Sequence, residues 1–457
     1  MTERFRKLPQ ITEILDREQR ACREEQKVVV KQVANEVLEE YRQKIRQDET
    51  FDFTREEVFQ EIDGRLANKE EFSLLPTINA TGVVLHTNLG RAVLSPEALD
   101  HIKETACSYS NLEYNLTGGR RGSRYNHVVD LVRELTGAED ALLVNNNAAA
   151  VFLMLNTLVA GKEALVSRGE LVEIGDGFRI SEIMARSGAR LVEVGATNRT
   201  HLYDYERALT EETAVIMKVH ASNYRVIGFS ESVSAPELKE LARERELPVI
   251  EDLGSGSLVD LTPYGLSHER TVADCIREGI DLVSFSCDKL LAGPQGGIIC
   301  GRHDLIQKIK KNQLLRAFRV GKLSIAALEY TLLAYRNPES LAEKLPAMGM
   351  IMASSETLKK RADQLLKEIR QEVPGCPAQV VATSSMVGGG AYPAESLPSF
   401  GLRIAQENPE KLEAFLRNCR DHIICSVHDR ALYMDVRTLL PGQSSIIAKR
   451  VGEYYAS

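Results

Sequence analysis

The chain has 457 residues, with 57 Lys and Arg against 65 Asp and Glu, a formal net charge of −8. That balance excludes a broadly cationic protein that grips nucleic acid by bulk charge, and a hydrophobic content of 43% excludes wholesale disorder. Eight dispersed cysteines without a C-x-x-C pair predict reduced thiols. The start MTERFRKLPQ has no apolar core, and no apolar run approaches the roughly 18 residues of a membrane span, so the reading is a cytoplasmic protein.

Residues 1–75 read as helices only. Val30, Ala34, Val37, Leu38, Tyr41 and Ile45 recur at helical spacing. Thr54 with Glu57 three residues on is a capping box, followed by Val58, Ile62 and Leu66. The pattern changes near Pro76. From 76 to 335 short apolar runs at 141–145, 164–167, 190–194, 214–219, 248–252, 281–286 and 297–300 alternate with amphipathic stretches. Such alternation predicts one large α/β domain around a seven-stranded, mainly parallel sheet covered on both faces. Residues 336–457 read as a smaller α/β domain ending in a strand-like run at 431–440.

Three strand ends carry the candidate chemistry. The run Ser284-Phe285-Ser286-Cys287-Asp288-Lys289 leads into a Gly/Pro turn, which puts a lysine just past a strand's carboxyl end, where open α/β sheets bind ligands. An amine there can form a Schiff base with a carbonyl cofactor, while hydroxyls and turn amides donate to a phosphate. Ser286-x-x-Lys289 also matches the S-x-x-K of serine β-lactamases, but the S-D-N and K-T-G that should accompany it are missing. Asp252 ends the apolar strand before Gly254, and a buried acid there calls for a cation such as a pyridinium nitrogen. Asn145-Asn146-Asn147-Ala148 follows a strand and opens a helix, an arrangement that suits plain capping or phosphate binding.

In this order, strand–Asn–helix, strand–Asp, strand–Ser–Lys, the layout resembles that of pyridoxal-phosphate-dependent, aspartate-aminotransferase-like enzymes. More closely, the chain resembles the bacterial selenocysteine synthases, or L-seryl-tRNA(Sec) selenium transferases. The likeness runs through LPQITEIL, INATGVVLHTNLGRAVLS, YNLTGGRRGSR, NNNAAAVFLML, SRGELVEIG, HASNYRVIGF, EDLGSGSL, DKLLAGPQGG and LLRAFRVGK. Two positions depart from it, Cys287 and Ala292, where the family has glycine.

The resemblance implies conversion of seryl-tRNA(Sec) to selenocysteyl-tRNA(Sec) with pyridoxal 5'-phosphate, and selenium from selenophosphate. It makes Lys289 the cofactor-bearing lysine and general base, and Asp252 the partner of the pyridine nitrogen. Asn146, Asn147, Ala148, Ser284 and Ser286 would lie near the cofactor phosphate, with His220 a candidate to stack on the ring. Asp288 would tune Lys289 or help move protons. Arg91, Arg316 and Arg319 would hold selenophosphate, and the stretch from Arg302 to Lys322 does carry seven lysines and arginines against one acid. Forked guanidinium groups suit such an oxyanion. The resemblance further implies a ring-shaped homodecamer and an N-terminal tRNA-binding domain. That domain has 14 basic and 18 acidic residues, so any RNA contact needs a local face such as Arg20, Lys27 and Lys31.

Cys419, His422, Cys425 and His428 recur every third residue, but they straddle a helix-to-strand change that would scatter four ligands, so no metal site is expected. Two rivals remain open. A related pyridoxal-phosphate lyase acting on a small amino acid or amino sugar would not need the N-terminal helices. A non-catalytic tRNA-binding scaffold would not need Lys289 and Asp252.

Overall fold

The computed structural model describes every residue except 1, 18–23, 49, 71, 175–176, 221–223, 225 and 394. Arg20, one of the proposed RNA contacts, lies outside the described residues. The chain divides into two compact units, Met1–Pro76 and Thr77–Ser457.

The first unit is helical, with helices Thr2–Arg6, Ile11–Arg17, Glu24–Gln47 and Arg55–Glu70. The apolar stripe of Glu24–Gln47 is its core: Val30, Val33, Ala34, Val37, Leu38 and Ile45 are buried against Val58, Phe59 and Ile62. The capping box forms in both directions, with Thr54 N–H donating to Glu57 Oε2 at 2.6 Å and Glu57 N–H to Thr54 Oγ1 at 3.2 Å. Two orphan donors of the first helical turn are thereby satisfied.

The second unit is built on a seven-stranded sheet. Its strands in chain order are β1 (Asp140–Val144), β2 (Glu163–Ser167), β3 (Arg190–Val194), β4 (Thr213–Val219), β5 (Val249–Gly254), β6 (Leu282–Ser286) and β7 (Gly297–Gly301). The spatial order is β1-β7-β6-β5-β4-β2-β3. Only β7 runs antiparallel to its neighbours. All residues of β1, β6 and β7 are buried, as expected for strands covered on both faces. One face packs on helices that include Asn126–Thr136 and Ala235–Arg243, the other on Asn147–Leu158 and His303–Lys310.

A second, five-stranded sheet is assembled from Ala378–Gly388, Leu397–Ala405, Ser426–His428, Ala431–Asp435 and, from far upstream, Val83–Leu85. Val83–Leu85 had no strand signal of its own; it is a short segment recruited by pairing with Met386 and Gly388. The chain also continues past the last strand into a helix, Gln443–Ala456, that the sequence reading did not separate. Helix Pro409–Asn418 ends before Cys419, and the regularly spaced Cys and His residues take separate partners. Cys419 Sγ donates to Leu416 O at 3.0 Å, and the His428 ring stacks on Tyr433 at 3.7 Å.

The C-terminal sheet is pinned by Arg437, only 2% exposed. Its guanidinium donates to Met350 O at 2.7 Å and Pro398 O at 2.6 Å, so one buried cation holds two separate carbonyls. Asp435, also buried, accepts from Thr383, Ser385 and Ser399. Replacing Arg437 by Met keeps the bulk but leaves those carbonyls without donors, which costs about 3 kcal/mol. Arg437→Met is therefore expected to lower the urea midpoint substantially, and a midpoint within error of the parent protein would contradict this account.

Candidate active site

Lys289 and Asp252 come from neighbouring strand ends. Asp252 lies in β5, paired with Ser284 of β6, and Lys289 follows β6 directly. Asp252 is 6% and Lys289 7% exposed, so an acid and a base are both withdrawn from water. Burial pushes the Asp252 carboxyl above its ordinary range, opposed by its hydrogen bond from Asn147 and the charge of Lys289. Burial likewise lowers Lys289, with Asp252 opposing the shift and Arg91 adding to it.

The lysine loop is rigidly held. Tyr335 Oη donates to Leu290 O and Leu291 O, each at 3.1 Å, and Leu290 N–H donates to Ser255 O at 3.0 Å. Ala292 stands at a φ of 58°, the left-handed region that favours glycine and costs an alanine about 1 kcal/mol. The other departure, Cys287, is fully buried in the core. Its amide donates to Gly296 O at 3.0 Å. Burial, with the neighbouring Asp288, raises its thiol well above the usual range, so it is an inert packing group and not a reactive thiol.

Asn146 caps the helix Asn147–Leu158, its Oδ1 accepting from Ala149 N–H at 2.8 Å. The first helical turn at Asn147 and Ala148 thus presents backbone amides at a helix N-terminus. Gly297, at the start of β7, lies so close that an added Cβ would sit 2.3 Å from Asn146 O. Only glycine fits there.

Two residues of the group expected near the phosphate also support the acid. Asn147 Nδ2 donates to Asp252 Oδ1 at 2.8 Å and Ser284 Oγ to the same oxygen at 3.3 Å. Both side chains, expected near a phosphate, are committed to the acid, because the pleat turns Ser284 to the same sheet face as its cross-strand partner Asp252. Ser286 is buried at the end of β6. His220 follows β4; its amide donates to Asp252 O at 2.9 Å, and its Nε2 lies 3.6 Å from Glu269 Oε1. Asn147 Oδ1, His220 Nδ1 and Ser255 Oγ are buried polar atoms without a hydrogen-bond partner.

Arg91 joins this group through an ion pair with Asp288, Nη1 to Oδ2 at 2.7 Å. Arg316 and Arg319 do not contact Arg91. Both are exposed, and Arg319 faces Glu113 at 3.8 Å. Their segment is tied to the sheet by Asn145 N–H donating to Phe318 O at 3.1 Å, and by Arg124 donating to Val320 O at 2.7 Å. Tyr335 and Glu269 were not singled out from the sequence. Each is a lone residue whose role depends on a distant partner.

The family model described as "SelA: L-seryl-tRNA selenium transferase" matches residues 77–440. An L-seryl-tRNA(Sec) selenium transferase of Moorella thermoacetica is 48% identical over 451 residues, covering 97% of this chain and 96% of that one. A Clostridium perfringens protein of the same description is 46% identical over 458 residues, covering 99% of each. Among solved structures, D-glucosaminate-6-phosphate ammonia-lyase shares the fold at 21% identity and a TM-score of 0.59, covering 87% of this chain and 99% of that one.

A buried acid with a raised pKa stabilises the fold below its unfolded pKa, and that contribution is lost as pH rises through the folded value. Asp252 titrates ordinarily near 3.8 and is shifted up, so at neutral pH its ionisation opposes folding. Asp252→Asn preserves an acceptor for Asn147 and is expected to raise the urea midpoint of the cofactor-free protein at neutral pH. The gain should shrink as pH falls toward the carboxylate range. A midpoint lowered at neutral pH would show that Asp252 is not held against its desolvation.

Proposed function

We propose, from the premise that this chain belongs to the L-seryl-tRNA selenium transferase family, that its buried Lys289–Asp252 cleft is where the reaction takes place. The protein converts L-seryl-tRNA(Sec) to L-selenocysteyl-tRNA(Sec). Selenium replaces the serine hydroxyl oxygen. The observation that carries the site assignment is the pairing of a desolvated lysine with a desolvated acid at adjacent strand ends.

The residues present fit pyridoxal 5'-phosphate. Asp252 is a buried acid that calls for a cation, the amides opening Asn147–Leu158 suit a phosphate, and the orphaned Asn147 Oδ1, His220 Nδ1 and Ser255 Oγ offer further polar contacts. When bound, the pyridoxal group supplies an electron sink for the pair left behind when the serine α-proton departs. Asp252 would hold the pyridine nitrogen protonated, and Asn147 and Ser284 fix the acid in place. Lys289, lowered by burial, holds more neutral amine at working pH, so its Nζ can attack a carbonyl and later take the α-proton. Arg91 orients Asp288 beside Lys289. His220, one residue past β4, would be the side chain to stack on the ring.

Arg91, Arg316 and Arg319 receive selenophosphate. Exposed guanidinium groups on the one strongly cationic stretch support this, and their separation within one chain is consistent with a site completed by a neighbouring copy. A homodecamer, a cytoplasmic location and tRNA docking on the N-terminal helices near Lys27 and Lys31 complete the reading. Among the described residues no helix is long and apolar enough to cross a membrane.

The reading is checked in a single turnover with purified protein, seryl-tRNA(Sec) and selenophosphate, where selenocysteyl-tRNA(Sec) should appear. Fully loaded protein that releases none would overturn it. Borohydride reduction should attach the pyridoxyl label to Lys289 and none should attach in Lys289→Ala; a label on another lysine would redraw the site. Arg316→Ala and Arg319→Ala should keep the label and α-proton exchange while selenium incorporation falls by roughly tenfold or more, the scale of a lost charge-assisted bond. Excess selenophosphate should partly restore it. Loss of the cofactor in these variants would assign the arginines elsewhere.

A further inference from the structure

A cavity of about 810 Å³ lies at the carboxyl ends of β4 and β5 and is distinct from the cleft just described. Of the reaction's residues only His220 lines it; Lys289 and Asp252 do not. Its floor is made by Lys218 and Glu251, cross-strand partners that point to the sheet face opposite Asp252.

Eight buried side-chain polar atoms among the described residues have no hydrogen-bond partner, and four of them belong to the walls of this cavity. They are His220 Nδ1, Glu251 Oε2, Glu269 Oε1 and Tyr392 Oη. Glu251 is 1% and Tyr392 4% exposed, so leaving Oε2 and Oη without a hydrogen bond carries a desolvation penalty at each atom. Their convergence points to a ligand that brings several hydrogen-bonding groups.

The charges define its class. Lys218 pairs with Glu170 at 3.0 Å, Arg270 with Glu251 at 2.5 Å and with Glu278, and Arg199 with Glu231. Burial also raises Glu251 toward its neutral form, against the charge of Arg270. Three Lys and Arg residues face six acids, with Glu269 and Glu395 left without such a partner, so the walls repel a bare anion and suit a ligand that brings uncharged hydrogen-bond donors. The volume is within the range of pockets for heterocyclic ligands and far exceeds what a serine needs.

We propose that this cavity receives the terminal nucleoside at the 3′ end of the aminoacyl-tRNA, with the aminoacyl group passing His220 to reach Lys289. The proposal rests on the function proposed above. The ribose hydroxyls and the adenine amine supply donors for Glu251 and Glu269, and Tyr392 supplies a donor for a ring nitrogen. The phosphates remain outside, away from Glu269. Such a site takes binding energy from a part of the substrate that does not react and uses it to orient the part that does.

Calorimetry with adenosine on the full-length, cofactor-loaded protein tests the site without requiring turnover. Adenosine is expected to bind, and AMP to bind comparably, because its phosphate takes the place of the tRNA phosphate outside the walls. Glu269→Gln and Tyr392→Phe, both near-isosteric, are expected to weaken adenosine roughly tenfold each and to raise the KM for seryl-tRNA(Sec) in proportion. No heat from adenosine, binding of spermidine in its place, or equal adenosine affinity in both variants would overturn the proposal. Conversion of seryl-tRNA(Sec) by the parent protein is read separately, so a failure of the functional reading is distinguishable from a failure of this site.

Discussion

Two opposite charges held out of water at adjacent strand ends are the constraint around which this protein is arranged. Asp252 and Lys289 are each disfavoured in their charged forms by burial, and each partly relieves the other. Neither could persist alone in that position without shifting to neutrality. Several neighbours reduce that cost or fix its geometry. Asn147 and Ser284 hold one carboxylate oxygen, Tyr335 braces the lysine loop, and Arg91 secures the acid next to the lysine. A site strained in this way is poised for a group that carries complementary charge, and it exchanges stability for that readiness.

The pleat of β5 lets one strand serve two purposes. Glu251 and Asp252 are consecutive and therefore face opposite sides of the sheet. One side holds the acid of the reactive cleft, together with the helix that begins at Asn147. The other holds the floor of the large cavity, where Lys218 and Arg270 neutralise Glu170 and Glu251. His220, one residue past β4, is the only group of the reactive set that touches both. Its amide is fixed by Asp252 and its ring is near Glu269, so a change on either side is felt at the same imidazole.

Local patterns made much of this visible in advance. The seven strands are apolar runs of ordinary length bounded by turns, and Thr54 with Glu57 announces its helix within four residues. The lysine, the acid and the asparagine cap are each marked by the strand end that precedes them. Features that depend on distant pairing left no such trace. Val83–Leu85 is a strand because Met386 and Gly388 lie beside it, and Arg437 becomes a buried anchor because carbonyls from residues 350 and 398 meet it. The commitment of Asn147 and Ser284 to Asp252 followed from register across β5 and β6, which no spacing within either motif encodes. Tyr392 and Glu269 are joined to the cavity only by the path of loops between units of regular structure.

The single antiparallel strand β7 has a consequence for how the chain reaches its final form. Its five residues pair with β6 on one side and with β1 on the other, from Gly297 opposite Val144 to Gly301 opposite Asp140. β1 has no other partner in the sheet, although every one of its residues is buried in the finished fold. During synthesis β1 emerges long before its partner does, with an apolar, hydrogen-bonding edge to offer to any other strand. Closure of such a non-local pair is slow, since the loop entropy must be lost before the contacts repay it. The sheet edge at β1 is therefore completed only when β7 is in place, with Gly297 against the Asn146 carbonyl. Until β7 has been made the edge of β1 lacks its strand partner, and the length of that interval is set by the distance along the chain between these two strands.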